Sequence, residues 1–86
     1  MSKTLDNIIE AFPEESFLTA DGFDNCIIGL EAMSMRLIYS KSKIIMQLVS
    51  EGLTLEEAFE HFSFNIEGSY VGEQTPIWCD DFLIQE

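Results

Sequence analysis

Basic residues are the scarcest ingredient of this 86-residue chain. Lys and Arg number 4 against 16 Asp and Glu, a net charge of −12 at pH 7 with a pI near 4.1. Direct binding to a nucleic-acid backbone is therefore disfavoured, because the protein would bring like charge against phosphate. Histidine occurs once and cysteine twice, with no CxxC and no second histidine or cysteine at ligand spacing from His61. That excludes the usual metal clusters and leaves no nucleophile motif, so no catalytic residue, metal ligand or cofactor site is expected. Asp21, Asp24 and Asn25 lack the alternating acids and distal glutamate of a calcium loop. No run approaches the ~18 apolar residues of a membrane span. Residues 1–16 have neither the basic start nor the apolar core of a leader. A cytoplasmic protein is expected, with Cys26 and Cys79 as two buried reduced thiols in preference to the one disulfide they could form.

Against these absences stand 47% hydrophobic residues, 12% aromatics and a mean hydropathy of +0.10. An acidic excess alone suggests disorder, but this much apolar content supplies a modest core. One folded domain over 1–86 is expected, with 1–16 as an N-terminal helix and break and 80–86 as a tail. Internal repeats and low-complexity segments are absent.

Thr4 is placed to cap a short helix over 5–12, with Leu5, Ile8, Ile9 and Phe12 at helical spacing and Pro13 ending it. Asp21-Gly22 reads as a turn. Residues 26–30 and 36–39 read as two short strands of a hairpin. A helix through Met33 and Met35 is the competing reading, since 30–33 are good helix formers. Ser40 caps a helix over 41–51 whose apolar stripe is Ile44, Ile45, Leu48 and Val49, and Gly52 suits the residue that ends it. Thr54-Leu55-Glu56-Glu57 is a capping box, the strongest local signal in the chain. The helix it opens should bury Leu55, Ala58, Phe59, Phe62 and Ile66 and end near Gly68. Phe62 and Phe64 are two apart and cannot share a helix face, which puts one of them at the surface or at a homodimer contact. Residues 68–76 read as a compact loop and 77–79 as a strand, with Pro76 at its start. The fold class expected is α+β: a small antiparallel sheet of about three strands covered by a helical hairpin, with a short N-terminal helix.

The run Glu56-Glu57-Ala58-Phe59-Glu60-His61-Phe62-Ser63-Phe64-Asn65-Ile66-Glu67-Gly68-Ser69-Tyr70-Val71-Gly72-Glu73-Gln74-Thr75-Pro76-Ile77-Trp78 resembles a group of small uncharacterised bacteriophage proteins. Gly22-Phe23, Ile27-Ile28-Gly29, Tyr39, Lys43 and Leu48 are similar to the same group. The resemblance spans 22–78; Ser40, standing where the group has an acidic cap, and a short 30–36 segment depart from it. It implies phage origin and an α+β fold, and brings no activity with it.

All four basic residues (Lys3, Arg36, Lys41 and Lys43) precede Ile44, and the rest of the chain carries nine acids and no Lys or Arg. First-turn acids on a helix account for Glu56 and Glu57. A long stretch without one compensating cation costs stability through self-repulsion, which points to a docking surface. The partner-binding candidates are Glu56, Glu57, Glu60, Glu67 and Glu73, with Tyr70 and Trp78 as aromatic anchors. The 68–76 loop also has a purely structural reading, with Gly68 and Gly72 as turn residues and Tyr70 packed. The leading expectation is a non-enzymatic phage-type protein that binds a basic surface on a host protein and inhibits it, as an anti-defence mimic of nucleic acid. The alternative is an oligomeric binder or sponge for a signalling nucleotide, with Arg36, Lys41 and Lys43 as its cations. A phage accessory role of another kind is also open.

Overall fold

A computed structural model describes residues 2–68 and 72–83. Helix α1 (Lys3–Ala11) leads into an irregular segment and a short 3₁₀ turn, Asp24–Cys26. Strands β1 (Ile27–Glu31) and β2 (Arg36–Ser40) follow, then helices α2 (Lys41–Ser50) and α3 (Leu55–His61). Helix α3 widens into π-helical turns over Phe62–Glu67, and β3 (Ile77–Cys79) and a 3₁₀ turn, Asp81–Leu83, complete the order. The α+β class expected from the sequence is the class observed.

The sheet departs from the expectation in one respect: it is mixed. β1 and β2 form the antiparallel hairpin, with Ile27 opposite Tyr39 and Glu31 opposite Arg36. β3 adds to the other edge of β2 in parallel, Tyr39 facing Trp78. The cause is the connection, since a crossover through α2 and α3 returns the chain to the end from which β2 began. In the hairpin turn Met35 takes φ 59°, while the Glu31 carboxylate accepts from the Met33 and Ser34 amides at 3.0 and 2.8 Å. The turn satisfies its own backbone, which is why the hairpin prevails over a helix there.

Helix starts obey local capping chemistry. Ser2, not Thr4, caps α1, its hydroxyl accepting from the Leu5 amide at 3.1 Å. Ser40 caps α2 by accepting from the Lys43 amide at 3.1 Å. At the far end of α2, Leu53 N–H donates to Leu48 O and Gly52 N–H to Val49 O, at 3.2 and 3.0 Å, with Gly52 at φ 115°. That is a Schellman ending, followed directly by the Thr54–Glu57 capping box. Thr54→Ala is expected to cost about 1 kcal/mol. Gly52→Ala is expected to cost about 1–2 kcal/mol, from backbone strain alone because nothing crowds a Cβ there. Urea melts of the two variants check both values.

The core is Ile27, Leu37 and Tyr39 from the hairpin, Ile44, Ile45 and Leu48 from α2, and Ala58, Phe62 and Ile66 from α3 and its extension, closed by Cys26. Leu55 lies outside it, 55% exposed. The buried ridge steps by four through Ala58, Phe62 and Ile66, and one step back lands on Thr54. Phe64 is the exposed member of its pair, at 82%. Cys26 sits in the 3₁₀ turn and not in β1, and both cysteines are free thiols. Burial pushes the Cys26 thiol up, with the Lys43 ammonium acting against it. The melting temperature should therefore be the same with and without dithiothreitol. Among the described residues no helix is long and apolar enough to cross a membrane.

Candidate functional site

Two features of the surface are candidates for a functional site: the acidic exterior of the second half, and a groove beside β3. Glu51, Glu56, Glu57, Glu60, Glu67 and Glu73 are all exposed. The Glu57 carboxylate accepts from the Thr54 amide at 2.8 Å, a bond that holds its carboxyl below the ordinary glutamate value. Glu57 is thus part of the helix start, while Glu56 and Glu60, one turn apart, carry charge on the outer face of α3. His61 is exposed, with Nδ1 3.3 Å from the Asn65 amide nitrogen. No group of three or more potential metal ligands occurs among the described residues.

The groove has two fixed walls. The first is the irregular segment from Thr19 to Phe23. The buried Tyr39 hydroxyl accepts from the Ala20 amide at 2.7 Å, and Gln47 Nε2 donates to Gly22 O at 2.7 Å. The second wall runs from Thr75 to Trp78. Arg36 Nε donates to Thr75 O, the Thr75 hydroxyl donates to Gly72 O at 2.6 Å, and Trp78 pairs with Tyr39 in the sheet. Asn65 and Ile66, from the π-helical turns, line the same space, a cavity of about 310 Å³. Trp78 is half-buried. Its ring lies 5.4 Å from that of Tyr39 and 5.8 Å, edge-on, from that of Phe62. It is held as core on one side and borders the groove on the other.

The remaining candidates divide clearly. Tyr70 lies outside the described residues, as does the 69–71 part of its loop. Arg36 and Lys41 are committed to structure: Arg36 holds the Thr75 wall. Lys41 lies 3.7 Å from Asp80, the one ion pair among the described residues, with its ammonium 5.2 Å from the Phe62 ring centre. Lys43 is exposed, near Cys26. Of the described residues lining the groove, none is a cation and Asp21 alone is charged.

Sequence reasoning missed Asp81. Its carboxylate accepts from the Ser40 hydroxyl and from the Ser42 amide, the latter at 2.9 Å, so the C-terminal segment closes the start of α2. Burial pushes its carboxyl up, but the hydrogen bonds from Ser40 and Ser42 outweigh that and hold it below the ordinary value. A lowered folded-state value means the stabilisation is present above the unfolded value, about pH 4, and is lost as pH falls through the folded one. The stability gap between the wild type and Asp81→Asn should therefore narrow on acidification below about pH 4, as read by urea melts at several pH values.

Comparison with known proteins returns no matching family model, curated protein or solved structure.

Proposed function

We propose that this chain is a non-enzymatic interaction protein of phage type that docks on a basic surface of a host protein and blocks it, occupying a place otherwise taken by nucleic acid. The observation that carries the reading is the run of exposed acids from Glu51 to Glu73, unrelieved by any Lys or Arg after Lys43. Uncompensated charge of this kind costs folding stability through self-repulsion. It repays that cost only when a cationic partner meets it, where complementary potential raises the encounter rate. Phage origin is supported by the sequence resemblance alone. The nucleotide-sponge alternative draws less support, since Arg36 and Lys41 are engaged within the fold and Asp21 would repel phosphate from the groove.

The test is capture from a bacterial lysate on immobilised protein. The reading expects a basic host protein that is retained at low salt, released at high salt and displaced by duplex DNA. Retention that is indifferent to both salt and DNA would overturn it.

A further inference from the structure

The acidic surface explains attraction at a distance but not residence, because diffuse charge is screened beyond ~8 Å at physiological ionic strength. A persistent complex needs a desolvated anchor. The groove between the Thr19–Phe23 segment and Thr75–Trp78 has the properties of one. Hydrogen bonds to Tyr39 and from Gln47 and Arg36 hold both walls, so an incoming group meets a preformed site. Its volume, about 310 Å³, is at the small end for ligand sites, suited to one side chain and cramped for a nucleotide.

The lining selects the chemistry. Trp78 and Phe23 offer aromatic surface, Ile66 and Pro76 offer aliphatic surface, and Asp21 contributes the one negative charge among the described lining residues. Aromatic faces beside a carboxylate attract a cation with an apolar stem. A guanidinium satisfies both demands better than an ammonium, because it is planar, stacks on aromatic rings and meets a carboxylate with two parallel donors. Resting on the reading of the acidic exterior as a docking surface for a basic partner, we propose that this groove receives an arginine side chain of that partner. The arginine stem packs against Trp78, Phe23 and Ile66, and its guanidinium meets the Asp21 carboxylate. The acids of α3 then govern approach, and the groove governs dissociation.

Trp78 is the only tryptophan in the chain, so its indole N–H gives one isolated signal in a ¹H–¹⁵N spectrum. The experiment titrates ¹⁵N-labelled protein with a nona-arginine peptide, and in parallel with nona-lysine and with acetyl-phenylalanine amide. The proposal expects saturable shifts of the Trp78 indole and of the Ala20, Asp21, Phe23 and Thr75 amides with nona-arginine. Asp21 is exposed in a turn, so Asp21→Asn is expected to fold normally and to weaken those shifts about tenfold in apparent affinity. Shifts confined to α3 with the indole unmoved would overturn the groove proposal and leave the acidic docking surface standing. Equal occupancy by nona-lysine or by the uncharged phenylalanine derivative would overturn the arginine assignment. No salt-sensitive shift anywhere would remove the docking surface and the groove together.

Discussion

Phe62→Ala is expected to lower stability by about 3–5 kcal/mol, the range for deleting a fully buried aromatic side chain. Phe62 has no solvent exposure, and it is where the two halves of the fold meet. Its ring receives the edge-on contact with Trp78 of β3 at 5.8 Å and lies 5.2 Å from the Lys41 ammonium of α2. Removing it deletes the transfer term, leaves a cavity among groups fixed by sheet pairing, and strips Lys41 of a π face. Small domains have only about 5–15 kcal/mol of stability in total, so the variant should be marginal at room temperature. The check is a urea melt followed by Trp78 emission, with a large fall in midpoint. A loss below about 1 kcal/mol would mean that the π-helical turns do not pack as described.

The second large effect is kinetic. Converting Glu56, Glu60 and Glu67 together to lysine halves the net charge of −12 without touching the capping box, since Glu57 is left in place. Steered association typically gains about 10–10³-fold over the unsteered rate. The triple variant should therefore associate with the captured partner about 10–100-fold more slowly at low salt. Its dissociation rate should change little, because rim charges act mainly on encounter. All three side chains are exposed, so the variant should melt close to the wild type or slightly above it as self-repulsion falls.

Much of the fold was legible in local chemistry. The Thr54–Glu57 box, Ser40 and Gly52 are short-range devices, and each appears in its expected role. The hairpin and the short strand at Ile77 were legible for a similar reason, as apolar runs bounded by turn residues. What escaped depends on contacts distant in sequence. The parallel pairing of β3 is set by the path of the crossover, and the Asp81–Ser40 bond joins residues 41 apart. The cap of α1 was misplaced because Ser2 and Thr4 are both able caps, and only the Leu5 bond chooses between them.

The candidate site was half legible. Charge asymmetry is a property of composition, so the acidic residues could be read directly, and Glu57 serves the helix start as its place in the capping box implied. Trp78 was marked as an aromatic anchor, but its tilted contact with Tyr39 and edge-on contact with Phe62 give it a role in the core as well. The groove itself could not be read, because its walls come from an irregular segment near residue 20 and a strand near residue 77. Those are held by Tyr39, which no motif marks, and by Arg36, which the sequence offered as a ligand cation and which instead donates to Thr75 O.

The central claim is that the exposed acids of the second half meet a cationic partner. It is tested most directly by the association rate constant of the captured partner, measured against ionic strength for the wild type and for Glu56→Lys, Glu60→Lys, Glu67→Lys combined. The account predicts a steep fall with salt for the wild type, a shallow one for the variant, and convergence of the two at high salt. Coincident rates at every ionic strength would contradict it, and the acidic face would then be only a solvated surface.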